Sequence, residues 1–263
     1  MARTIVIANQ KGGVGKTTTA VNLAAALASL NRRVLLIDID PQGNATSGLG
    51  VEKEGIENSI YELLLGEATA EECIIKDAAV KKLSLIPSNI NLAAAEIELM
   101  DAERREYLLK GKLEDQADKY DFILIDCPPS LNMLTINAMC AADAVLIPIQ
   151  CEYYALEGLS QLLYTINLVK ERLNSRLEVD GVVFTMYDGR TNLSQEVAKN
   201  VRDNLQTHIY KSVIPRNVRL AEAPSYGLPI SLYDPRSAGA QAYAKLAKEV
   251  VKREKSRRFG HGR

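Results

Sequence analysis

Between a short apolar stretch and a helical stripe lies "KGGVGKTT" at residues 11–18, and no other segment constrains the fold as tightly. "TIVIA" at 4–8 reads as a strand, while Ala20, Leu23, Ala24 and Leu27 keep the i, i+3, i+4, i+7 spacing of a buried helical face. A glycine loop that leaves a strand and opens a helix is the setting of a phosphate-binding loop. Its glycines let backbone N–H groups turn onto phosphate oxygens, and the helix N-terminus adds partial positive charge. Lys16 would supply a full charge to the outer phosphates and the Thr17 hydroxyl would ligate Mg²⁺, with Gly12, Gly13, Val14, Gly15 and Thr18 completing the cradle. The strict pattern GxxxxGK[ST] fails, because its first glycine would fall at Gln10. The loop is a deviant form with a second lysine, Lys11, on its entry side.

Further apolar runs predict strands at 33–38, 83–88, 121–126, 144–149 and 179–186, with a seventh at 209–215. Several lack polar alternation, as strands buried on both faces should. Helical stripes lie among them, including Leu156, Leu159, Leu163 and Ile166, and later Tyr243, Leu246, Ala247 and Val250. This alternation predicts an α/β fold: a doubly wound, mostly parallel sheet flanked by helices, in a P-loop NTPase architecture. No linker interrupts the 263 residues, so 1–251 read as a single domain. The segment 252–263 then reads as a basic, flexible C-terminal tail, either a solvated terminus or a polyanion contact.

Two carboxylate sites lie at predicted strand ends, where doubly wound folds place chemistry. "LLIDIDPQG" carries Asp38 and Asp40 two apart, positioned either to face Mg²⁺ and its waters or simply to form the turn that Pro41 continues. "FILIDCPPS" puts Asp126 after four apolar residues, the pattern of a carboxylate that holds a magnesium-bound water. A net charge of −1 argues for neither a nucleic-acid nor a membrane partner. Cys73, Cys127, Cys140 and Cys151 form no CxxC pair, which makes structural zinc and a disulfide framework improbable. With no long apolar run and no secretory pattern at the start, a reduced, cytoplasmic protein is expected.

Together "NQKGGVGKTTTAVNLA", "LLIDIDPQGNATSGLG", "ILIDCPPSL", "IPIQCEYYALEGLSQLL" and "VIPRNVRLAEAPSYGLPI" resemble the ParA/Soj family of chromosome-partitioning ATPases, over residues 3 to about 251. The resemblance implies ATP and Mg²⁺ as cofactors and slow, partner-stimulated ATP hydrolysis. It makes Lys11 a lysine that reaches the phosphates of a partner subunit in an ATP-bound homodimer, Lys16 the loop lysine, and Thr17 and Asp126 the magnesium residues. Asp40 becomes the residue that orients the attacking water, and Pro215 and Asn217 the residues that line the base. Arg190 and Arg219 match arginines that grip double-stranded DNA without sequence preference, through phosphates. A ParB-like partner and association with the nucleoid complete the expectation, with a role in chromosome or plasmid partition. The alternative is a MinD-like membrane-associated ATPase regulating division, which this terminus, with only Phe259 among basic residues, does not suggest.

Overall fold

The computed structural model describes residues 2–153 and 155–260, the side chains of 258–260 excepted. Strands and helices alternate as the sequence pattern requires. β1 (Arg3–Ile7) leads through the glycine loop into α1 (Lys16–Ser29), followed by β2 (Val34–Asp38), α2 (Asn44–Gly48), α3 (Ile60–Leu65), α4 (Ala70–Cys73) and β3 (Leu83–Ile86). α5 (Leu92–Glu98), α6 (Leu108–Leu113), β4 (Phe122–Asp126), α7 (Met133–Ala141), β5 (Ala144–Gln150), α8 (Ala155–Arg172) and β6 (Glu178–Thr185) continue the chain. It closes with α9 (Asn192–Asn204), α10 (Val218–Glu222), α11 (Ile230–Tyr233) and α12 (Ala238–Gly260).

The six strands form one parallel sheet in the order β3-β2-β4-β1-β5-β6. Side chains alternate across it. Ile5, Ile7, Leu36 and Leu124 pack with the Ala20–Leu27 stripe of α1 and with Tyr243, Leu246 and Val250 of α12. Val6, Leu35, Ile37, Ile123 and Ile125 pack on the other face with residues of α3, α7, α8 and α9. Both faces are therefore covered, which explains why β2 and β4 are buried at all five positions.

The segment expected as a seventh strand departs from that expectation. It makes only two isolated parallel bridges to the β6 segment, Val182 with Ile209 and Tyr187 with Pro215. The physical reason is a slip between the bridges: the Tyr210 N–H donates to the Val182 carbonyl at 2.9 Å, but the next bond, to the Phe184 carbonyl, comes from the Ile214 N–H at 2.8 Å, four residues on for an advance of two along β6. At the slip the Glu249 carboxylate of α12 takes the Lys211 N–H at 2.9 Å and the Ser212 hydroxyl at 2.7 Å. In the basic terminal segment α12 continues to Gly260. Arg253 donates to the Asp180 carbonyl at 2.9 Å and Arg257 to the Asp180 carboxylate at 3.0 Å, pinning this helix to the start of β6. The expectation for residues 261–263 and for the Phe259 side chain lies outside the described residues.

Two loops meet at bare backbone. Gly50, just past α2, and Gly227, behind the turn Ala223–Tyr226, both have positive φ, +77° and +64°. A Cβ on Gly227 would lie 2.6 Å from the Gly50 Cα, so neither position accepts a side chain without moving the other loop.

Candidate functional site

All six strands point their carboxyl ends at one edge of the sheet, and the loops leaving them build the site. The glycine loop is fixed from both sides. Asn9 donates its amide to the Pro148 carbonyl of β5 at 2.7 Å and accepts the Lys11 N–H at 3.0 Å. At the other end Thr185, the last residue of β6, donates its hydroxyl to the Val14 carbonyl at 2.7 Å. Gly13 and Gly15 take φ of +74° and +84°, a conformation that costs a glycine little and lets the loop turn directly into α1.

A cavity of about 590 Å³ opens over this loop. Gly12, Gly13, Gly15, Lys16, Thr17 and Thr18 line its floor, Asp40 lines one wall, and Pro215 and Asn217 line another. The structure thus brings together nine of the residues singled out from the sequence. Val14 is expected in the cradle but does not line the cavity: its side chain is buried below, and it serves as the anchor for Thr185. Asn217 accepts the Leu220 N–H at 3.3 Å, so its side-chain oxygen caps α10.

Lys16 bends back over the loop and donates to the Lys11 carbonyl at 3.2 Å. Burial pulls its pKa below the ordinary lysine value, and the charge of Asp126 opposes that shift. Beneath it, Asp38 and Asp126 are register partners on β2 and β4 and are fully buried. Burial raises Asp38 to about 6, against hydrogen bonds from the Thr46 N–H and hydroxyl, both 2.8 Å, that favour its charged form. Burial lifts Asp126 well above the carboxylate range, and the Asp38 charge beside it adds to the rise. Both Asp126 oxygens are buried with no hydrogen bond of good geometry, and the Thr17 hydroxyl beside them favours the charged form. Such a group demands a compensating cation, and a Mg²⁺ held through water is the hard, oxygen-seeking ion that this donor set fits.

Asp126, like Val14, lies below the lining, and three more of the predicted residues stand outside the cavity. Lys11 turns away from it and pairs with Glu152, in the loop after β5. Arg190 is exposed and bidentate to Asp188, at 2.8 and 2.7 Å. Arg219, on α10, pairs with Glu222 at 2.8 Å and approaches Asp234 at 3.7 Å. The cavity also contains residues that sequence reasoning missed. Arg216 lies inside the stretch "VIPRNVRL", where nothing in its spacing marks it apart from a surface charge. Met186, which adopts φ +47° just after β6, left no signal in the sequence. The spacing of Tyr243 with Leu246, Ala247 and Val250 marks it as core stripe. It is indeed buried, yet it also lines the cavity and shares a 3.2 Å hydroxyl contact with Thr19 of α1.

A family model described as an AAA domain matches residues 2–179. The chain is 58% identical over 251 residues to the sporulation initiation inhibitor protein Soj of Bacillus subtilis, covering 95% of this chain and 99% of that protein. It is 51% identical over 254 residues to the chromosome partitioning protein ParA of Myxococcus xanthus, covering 97% and 89%. The chain belongs to the ParA/Soj family. Among solved structures, cobyrinic acid a,c-diamide synthase from Mycobacterium smegmatis with bound ADP and magnesium is 38% identical, with TM-score 0.85 over 97% of this chain and 96% of that one. The cell division ATPase MinD of Pyrococcus furiosus is 30% identical, with TM-score 0.79 over 96% and 99%. These two share the architecture at lower identity than the ParA and Soj proteins, so the MinD-like alternative has only distant support. As a ParA/Soj family member the chain is a chromosome-partitioning ATPase. Among the described residues, no helix is long and apolar enough to cross a membrane.

Proposed function

We propose that the cavity binds ATP with Mg²⁺ and that the nucleotide controls pairing of two chains into a form that holds DNA. The observation that carries this reading is the convergence of Lys16, Thr17 and Asp40 in one cavity, above the fully buried carboxylate of Asp126. Thr17 and Asp126 would hold the magnesium, which supplies charge neutralisation at the outer phosphates. Lys16 meets the phosphates from the loop side, and Pro215 and Asn217 flank the base. Asp40 orients the attacking water. Lys11 exchanges Glu152 for the phosphates of the second chain, which makes pairing depend on nucleotide. This exchange is inexpensive, because a half-exposed ion pair adds little stability.

Arg190 and Arg219 serve the DNA reading. Both are exposed and both already hold carboxylates, so a phosphate competes for an arginine of defined orientation. Pairing of chains doubles the number of such contacts, and each phosphate contact adds about 0.9 to the salt slope of log K. A ParB-like protein as the stimulating partner and residence on the nucleoid follow from the same family reading. The test is binding to random-sequence duplex DNA with ATP, with ADP as control. Tight binding with ATP alone is expected, and equal binding in both states would remove the switch.

A further inference from the structure

Asp40 sits in a closed ring of hydrogen bonds drawn from three separate segments. Its N–H donates to Asp38 Oδ1 at 3.2 Å. Asp38 Oδ2 accepts the Thr46 hydroxyl at 2.8 Å, and Thr46 Oγ1 in turn accepts the Ser88 N–H at 2.9 Å. The Ser88 hydroxyl then donates to the Asp40 carbonyl at 2.8 Å, closing the ring. Thr46 and Ser88 are both fully buried, one on α2 and the other in the loop beyond β3. Neither lines the nucleotide cavity. The ring fixes the backbone of Asp40 at both its N–H and its C=O, while the Gln42 N–H holds its carboxylate at 2.9 Å.

From this geometry we infer that Thr46 and Ser88 are positioning residues for ATP hydrolysis, setting the direction in which the Asp40 carboxylate faces the cavity. The inference rests on the reading of Asp40 as the residue that orients the attacking water. A hydroxyl that makes one bond to a strand carboxylate and another to a neighbouring loop gives the Asp40 turn a single arrangement, the kind of support on which reactive geometry depends. The packing around the turn agrees. Gly43, two residues past Pro41, has φ +60°, and a Cβ there would meet the Ser88 carbonyl at 2.8 Å, so the turn is seated directly on the Ser88 segment.

The test compares Ser88→Ala, Thr46→Val, Thr46→Ser and Asp40→Ala in the full chain. Single-turnover ATP hydrolysis and the Kd for a fluorescent ATP analogue are measured, with the thermal midpoint as a check on folding. In Ser88→Ala the Asp40 carbonyl keeps its bond from the Gly43 N–H at 2.9 Å, so the fold persists. The expected result for Ser88→Ala and Thr46→Val is a hydrolysis rate lower by about tenfold, with nucleotide Kd within about twofold of the parent. Thr46→Ser, which retains the hydroxyl, should recover the rate. Adding Ser88→Ala to Asp40→Ala should cause no further loss. Parental hydrolysis in Ser88→Ala and Thr46→Val, beside an inactive Asp40→Ala, would overturn the positioning role while leaving Asp40 in place. Parental hydrolysis in Asp40→Ala would overturn the reading beneath it. A parallel fall of rate, affinity and thermal midpoint that Thr46→Ser does not reverse would reduce both residues to packing.

Discussion

The Lys11 ammonium is paired with the Glu152 carboxylate of its own chain, across 141 residues of sequence and between the loops that follow β1 and β5. A charge proposed to serve a second subunit is thus already placed at the rim of the site and lightly held. Lys11→Ala should bind ATP as the parent does, yet remain monomeric with a non-hydrolysable analogue by analytical ultracentrifugation. Glu152→Gln should alter the dimerisation constant by less than about fivefold, the range of an exposed pair. A tenfold or larger effect of Glu152→Gln would mean that the pair does more than park the lysine.

The cavity assigns separate failures to its residues. Lys16→Ala should weaken ATP binding by about a hundredfold, since it removes a charge-assisted contact in a largely buried site. Asp40→Ala should keep ATP affinity and the dimer while losing at least about a hundredfold in hydrolysis. Isothermal titration calorimetry and phosphate release separate the two.

Much of this site was legible because its chemistry depends on local spacing. The glycine loop, Asp40 and Asp126 all sit at the ends of apolar runs, and a parallel sheet brings those ends to one edge whatever the order of its strands. Tyr243 was invisible for the opposite reason: only the packing of α12 on α1 carries a core residue into the cavity, and a helical stripe holds no record of its partner. Lys211 and Ser212 show a third case. Their run has strand composition, but its pairing with β6 slips there, beside a carboxylate 37 residues beyond Ser212 that holds the bulged backbone. The contacts of the basic terminal helix were equally unreadable, because Arg253 and Arg257 find Asp180, a buried acid whose place beside α12 is set by the fold.

For the arginines, Arg219→Glu should weaken binding to all duplex sequences alike while leaving ATP-dependent dimerisation intact. Each phosphate contact contributes about 0.9 to the salt slope, so loss of one contact per chain should lower the slope of a dimer by about 1.8. Fluorescence anisotropy across a salt series measures both. A sequence-dependent loss would point to base contacts in place of phosphate contacts.

The buried acids make a pH prediction for the nucleotide-free protein. Asp38 rises from an ordinary value near 3.8 to about 6. A group whose folded pKa is raised favours the folded state below its unfolded pKa, and that advantage is lost as pH climbs through the folded value. Between about pH 4 and pH 6 this residue should therefore lower stability as pH rises. Asp38→Asn should flatten that part of the curve in chemical denaturation at stepped pH. An unchanged slope would show that Asp38 stays charged throughout.

The meeting of Gly50 and Gly227 joins the stretch beyond Asp40 to the stretch behind Arg219. A seam of bare backbone has no rotamers with which to absorb a displacement, so the two loops shift as a pair of meshed teeth do.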